Sequence, residues 1–276
     1  MSGVDPSEAF AEAAATSVLG SGETVVLMLH GLGGDRNQPL GLLSEPLGAG
    51  LTVVAPDQRA HGETSVIGEP EDFTVDRLAD DAVALLRRRG FIARPLIVVG
   101  ISMGAAVALR LVQRGGLRLR GALLVRPAFG EEPWPEHLRV FREVAALLRA
   151  QGADGVGRFA ASEAYQQVAE VSPVAAESLL AQFTKPGAAG RVVRLEQVPA
   201  NPSITWGGRW TPSCPVTVVG AEADPVHPMW VAELWHERIT GSELVVTPSR
   251  DREPAAYDEQ MRAATRRCLE AWADGV

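Results

Sequence analysis

The stretch Leu96-Ile97-Val98-Val99-Gly100-Ile101-Ser102-Met103-Gly104-Ala105-Ala106 decides the fold. A run of aliphatic and β-branched residues ends in Gly-x-Ser-x-Gly and passes without a linker into a segment rich in Ala and Leu. The run predicts a buried strand, the two glycines a turn too tight for a Cβ, and the Ala-Leu segment a helix. Strand, turn and helix in this order lift the Ser102 hydroxyl above the sheet edge and aim the first helical amides at the same point. That is the geometry of a nucleophile elbow. The five-residue pattern alone equally describes an ordinary turn whose serine caps the helix.

Outward from this stretch, strand and helix patterns alternate. Thr24-Val25-Val26-Leu27-Met28-Leu29 and Leu51-Thr52-Val53-Val54-Ala55 read as buried strands, as do Gly121 to Val125 and Val216 to Gly220. Glu243 to Val246 reads as the last strand. Thr74 is placed to cap an amphipathic helix running to about Arg89, with Val75, Leu78, Ala82, Leu85 and Leu86 on one face. Short helices are expected from Pro39 to Leu47 and from Pro228 to Ile239, and a long one from Pro254 to Trp272. Residues 1–22 suit either an Ala-rich helix or weak edge strands around Thr16-Ser17-Val18-Leu19. The alternation predicts an α/β protein with a mostly parallel, doubly wound sheet. It breaks between Ala128 and Gly208, where helices are expected over Glu136–Arg149, Val156–Val168 and Val174–Phe183. A break of this length is read as a helical lid inserted over the strand ends. Residues 1–127 and 209–276 then form the core, and 128–208 the lid.

The chain has 276 residues, 46% of them hydrophobic and 22% charged, which suits a globular domain with a sizeable core. A formal net charge of -8 argues against a nucleic-acid partner. No apolar run reaches the ~18 residues a membrane span needs, and the acidic N-terminus lacks the pattern of a signal peptide. Cys214 and Cys268 are too few for a disulfide framework. A cytoplasmic protein is expected, with a homodimer left open.

Three motifs stand at the ends of three successive predicted strands: His30-Gly31-Leu32-Gly33-Gly34, Asp57-Gln58-Arg59-Ala60-His61-Gly62 and Gly100-Ile101-Ser102-Met103-Gly104. In that order they resemble the α/β-hydrolase superfamily, in its lidded esterase, lipase and peptidase-like branch. The resemblance implies that Ser102 is the nucleophile and that the amides of Leu32 and Met103 form the oxyanion hole. It implies that Asp224, in the turn after the strand ending at Gly220, is the acid that orients an imidazole. By the same resemblance His30 and the Asp57–Gly62 stretch hold loops rather than react. His30 and Gly31 border the expected substrate site.

The family carries its catalytic histidine in the loop after the last strand. Here that loop reads Val246-Thr247-Pro248-Ser249-Arg250-Asp251-Arg252-Glu253-Pro254, with no histidine. A serine hydroxyl is a poor nucleophile without a base. The five histidines are His30, His61, His137, His227 and His236. His227 lies three residues past Asp224 and is the candidate base, against a packing role at a helix start. His137 is expected at a solvated helix start, and His236 is expected to be structural. Asp251 or Glu253 could stand in the histidine's place, as feeble bases unless desolvated. Two readings follow. One is a serine hydrolase with an atypical triad, acting on a small or medium apolar ester, thioester or amide. The other is a non-hydrolytic protein of the same fold that isomerises, eliminates or cyclises a carbonyl compound, or only binds one.

Phe129, Trp134, Phe141, Phe159, Tyr165 and Phe183 concentrate aromatics in the expected lid, as a pocket roof or as the lid's own core. Trp134 and Phe141 are taken as substrate contacts. Arg126 could meet a substrate carboxylate, but a salt bridge to the lid is expected of it. With no phosphate loop, metal-ligand cluster or dinucleotide fingerprint, no cofactor and no metal is expected.

Overall fold

A computed structural model describes residues 5–44, 47–201 and 204–273. The strands are β1 Thr16–Gly20, β2 Thr24–Leu29, β3 Leu51–Pro56, β4 Leu96–Ile101, β5 Leu119–Val125, β6 Val216–Ala221 and β7 Glu243–Thr247. They form one sheet in the order β1-β3-β2-β4-β5-β6-β7. Every pairing is parallel except β1 on β3, which places an antiparallel strand at one edge.

The helices are α1 Pro6–Ala13, α2 Asn37–Leu40, α3 Val75–Arg88, α4 Met103–Arg114, α5 Val140–Gln151, α6 Val156–Ala160, α7 Glu163–Val171, α8 Pro173–Thr184, α9 Val193–Ala200, α10 Met229–Arg238 and α11 Pro254–Ala273. The inner strands are buried throughout and largely apolar because both faces are covered. Val25, Leu27 and Leu29 belong to the core on the face that carries α1, α3, α4 and α10, whereas Val26 and Met28 belong to the core on the face that carries α11. Each such side chain contributes about 1.5–3 kcal/mol when fully buried. The sheet is therefore rigid at its centre, where β4 delivers Ser102.

The N-terminal segment, open to two readings in sequence, contains both a helix and an edge strand. Thr74 caps α3 as expected, its hydroxyl accepting the Arg77 amide at 3.1 Å. The helix expected over Pro39–Leu47 shrinks to the single turn α2, with residues 45–46 outside the described set. Between β5 and β6 the helices appear, but the one expected over Val156–Val168 is interrupted at Ala161 and Ser162. The Ser162 side chain accepts the Tyr165 amide and starts α7 afresh. Helix α9 was not expected, since Pro199 near its end reads as a break.

This helical insertion rests on the loops that follow three strands. Lys185 donates to the Gly33 carbonyl, after β2. Arg191 donates to the Gly62 and Thr64 carbonyls, after β3. Asp251, after β7, accepts the Val174 amide at 2.9 Å.

Candidate active site

Ser102 sits between β4 and α4 at φ 54° and ψ -111°. A non-glycine residue held there costs of order 1–3 kcal/mol and persists only where its surroundings fix it. The surroundings do so. Its amide donates to the Val125 carbonyl at 2.9 Å, and its carbonyl accepts the amides of Ala105 and Ala106 at 2.9 and 3.1 Å. A Cβ at Gly100 would overlap the Gly104 carbonyl, and one at Gly104 would overlap the Leu29 carbonyl. The helix-capping role is excluded, because the Ser102 side chain makes no cap bond to α4. The residue is 7% exposed, and among the described residues its hydroxyl has no hydrogen-bond partner.

The loop after β2 is held amide by amide. Gly31 N donates to Gln38 Oε1 at 2.8 Å, and Gly33 N to His61 Nε2 at 2.9 Å. Between them, the Leu32 amide has no acceptor among the described residues, and neither has that of Met103 at the start of α4. Two unengaged amides beside an uncapped serine form an arrangement that can stabilise a developing oxyanion.

His30 Nε2 accepts the Gln58 amide at 2.9 Å and its Nδ1 donates to the Gly31 carbonyl at 2.8 Å. His61 is engaged alike, donating from Nδ1 to the Arg59 carbonyl at 2.7 Å. A ring nitrogen that accepts an amide cannot carry a proton, so both imidazoles are neutral. Burial lowers His30 to about 4 and holds His61 well below the ordinary value. His30, expected at the site's border, is not among the residues lining the cavity, whereas Gly31 is. The Asp57–Gly62 stretch is tied into the loops around it. Asp57 takes the Arg36 guanidinium and amide and the Glu63 amide, while Arg59 donates to both Asp81 oxygens at 2.9 and 2.7 Å.

Across the cavity lies a cluster in which Arg126 joins Asp224 and His227, a partnership the sequence did not disclose. Asp224 Oδ1 accepts the Val226 and His227 amides at 3.0 Å each. Its Oδ2 faces Arg126 Nη2 at 2.6 Å, Arg126 Nε at 2.9 Å and His227 Nδ1 at 3.0 Å. Arg126 Nη2 also lies 2.9 Å from His227 Nδ1. That nitrogen can donate to Asp224 or accept from Arg126, but its single proton allows only one of the two. Burial alone would raise the Asp224 pKa; the charge of Arg126, helped by His227, instead holds it well below the usual carboxylate range. Burial lowers His227, with Arg126 adding to the effect and Asp224 partly offsetting it, so the imidazole is neutral at pH 7. Its Nε2 has no partner among the described residues. Arg126 does form the expected salt bridge, but to Asp224 rather than to the helical insertion. The adjacency of β5 and β6 explains this, since it brings the two strand ends together.

Ser102, Arg126, Asp224 and His227 line one cavity of about 100 Å³, with Leu32, Phe129 and Phe141 among its apolar walls. Trp134, expected as a substrate contact, is not among its lining residues. Its ring instead lies under the Arg142 guanidinium, 4.3 Å from centroid to charge. Phe159, Tyr165 and Phe183 pack on one another as a core of the insertion. His137 is half-buried rather than solvated, and its Nε2 donates to the Ala128 carbonyl at 2.7 Å. His236 bonds Ser242 at 2.9 Å, in keeping with a structural role.

In the loop where the histidine is absent, Asp251 also lines the cavity. Its Oδ2 accepts the Ser172 hydroxyl and its Oδ1 the Val174 amide, so it holds the start of α8. Asp251→Ala should cost about 1–2 kcal/mol, the worth of a cap and a charge-assisted bond. Urea unfolding, with limited proteolysis between α7 and α8, measures this; an unchanged midpoint and cleavage rate would show that the tie carries no load. Among the described residues no group of three or more His, Cys, Asp or Glu side chains could hold a metal ion. No described helix is long and apolar enough to cross a membrane.

A central parallel sheet, a strained serine at its middle strand and an acid turn one strand beyond its neighbour define a class. Residues 24–251 match the family described as the alpha/beta hydrolase fold, and the chain belongs to it. Among solved structures it resembles a thermophilic esterase from Thermogutta terrifontis, determined with malate bound, at 25% identity and TM-score 0.69 over 94% of both chains. It resembles an enol-lactonase from Burkholderia xenovorans at 17% identity and TM-score 0.70, over 93% of this chain and 96% of that one. It is also 36% identical over 121 residues to the dihydrolipoyllysine-residue acetyltransferase component of an acetoin cleaving system from Cupriavidus necator. That match takes in 41% of this chain and 29% of the relative's length.

Proposed function

We propose that this α/β hydrolase cleaves a small or medium apolar ester, thioester or amide through an acyl-enzyme on Ser102, without a cofactor. The observation that carries the reading is the elbow itself: a strained, uncapped serine beside two amides that have no acceptor. A turn that merely joined a strand to a helix would need neither the strain nor the open amides. In this reading Leu32 and Met103 receive the oxyanion, and residues 128–208 are the lid. Phe129 and Phe141 supply apolar walls to a small cavity, which favours a compact acyl group. His227 is the base. Its Nδ1 can face Asp224 while Nε2 stays available, and burial keeps the ring unprotonated at pH 7. Arg126 shares Asp224 and lowers the basicity of the imidazole, so slow turnover is expected.

A fluorophosphonate probe tests this. Wild-type protein should be labelled, Ser102→Ala not at all, and His227→Ala roughly 100-fold more slowly or worse. Because the base must be neutral, labelling should rise through a midpoint below about 6.5 and then level off. No labelling between about pH 6 and 9 would overturn the reading. The second reading, a carbonyl-binding protein that forms no acyl-enzyme, is favoured by the engagement of Asp224 with Arg126 and by the unpartnered Ser102 hydroxyl. It predicts a thermal shift with apolar carbonyl compounds and no labelling.

A further inference from the structure

A second cleft, of about 520 Å³, opens between the helical insertion and the loops after β2 and β3. Lys185, Arg191 and Arg194 line it, and among the described residues none of the three forms a salt bridge. Each is held by neutral acceptors instead. Lys185 donates to the Gly33 carbonyl and Arg191 to those of Gly62 and Thr64. Arg194 donates to the Arg191 carbonyl at 2.6 Å and to Gln182 Oε1 at 3.3 Å. Carbonyl dipoles orient these groups without cancelling their charge.

Arg194 is the informative residue. It is only 2% exposed, yet its Nε has no hydrogen-bond partner. Burial, and then the neighbouring Arg191, push its guanidinium down to about 10. An unpaired buried cation costs several kcal/mol, and its retention beside two further cations calls for a counter-charge. Asp35 and Asp57 act on Lys185, but among the described residues no carboxylate of the cleft pairs with Arg191 or Arg194, and the charge acting on Arg194 is that of Arg191. Asp57 and Glu63 are held by Arg36, and Asp35 accepts the Asn37 amide at 2.9 Å.

We propose that this cleft is a binding site for a compact oxyanion, a phosphate or a carboxylate group, clamped by Arg194, Arg191 and Lys185. Guanidinium forks match the paired oxygens of either group, and a lysine adds a point charge. The site is separate from the Ser102 cavity and does not depend on whether Ser102 reacts. Gln182, which borders that cavity, is the wall between them.

Thermal unfolding with inorganic phosphate and, separately, succinate tests this, each at about 10 mM against sodium chloride of matched ionic strength. At least one anion should raise the melting temperature beyond the chloride control, and the anion that does so identifies the group. In Lys185→Gln/Arg191→Gln the response should need about tenfold more anion or vanish, and Ser102→Ala should respond as wild type does. In Arg194→Met, which removes the buried charge, the response should vanish without a lowered melting temperature in chloride; this variant decides the matter if the double variant does not fold. No shift with either anion in the wild type, or an undiminished shift in the variants, overturns the proposal.

Discussion

Arg126→Met should destabilise the protein by about 3–5 kcal/mol in urea unfolding, because it leaves the Asp224 carboxylate buried without its main partner. The two side chains are only 13% and 10% exposed, and Arg126 makes two of the contacts to Asp224 Oδ2. The substitution keeps the stem's apolar packing and removes the charge. Replacing both residues, as Arg126→Met/Asp224→Leu, should recover much of the loss, since neither charge is then stranded. A single-variant cost under about 1 kcal/mol would show that the pair is solvated. The pH dependence has a definite sign. Asp224 is held below its unfolded pKa of about 4, so the pair's stabilisation is complete above that value and lost as the pH falls through the native one. The melting temperature should therefore drop in strong acid more steeply for wild type than for Asp224→Asn.

Gly100→Ala should cost about 3 kcal/mol or more and remove fluorophosphonate labelling together with stability. The added methyl would overlap the Gly104 carbonyl and crowd the Ala105 amide at 2.6 Å. These are backbone atoms at the start of α4, and no rotamer change relieves the contact. The helix must move away from β4, carrying the Met103 amide from its place beside Ser102. Circular dichroism thermal melts and labelling read the two effects; a near-native melting temperature with intact labelling would mean that the turn has slack.

The sheet was readable because its inner strands are covered on both faces, which makes each an unbroken apolar run. Edge strand β1 is legible only as one of two alternatives, since Val18 and Leu19 are 42% and 43% exposed and give no such run. In the insertion, helix ends depend on side-chain caps such as Ser162, which periodicity does not register. Gly-x-Ser-x-Gly was informative because the elbow is local, with every contact that enforces it coming from the turn itself or the adjoining strands. The partnership of Arg126 and Asp224 is the opposite case. The residues are 98 apart in sequence, and only the order of strands shows that they meet. Trp134 was misplaced for a related reason. Aromatic content says that a segment has something to bury, without saying against which surface.

Asp251 turns the absence of a histidine into a problem of mechanics. The carboxylate in that loop is also the rivet between the sheet and α8. An imidazole placed at 251 would bring a proton acceptor to the cavity wall and release α8 in the same stroke. Reactivity and enclosure thus compete for one residue. Any substitution at Asp251 would need a new fastening for α8, from another side chain.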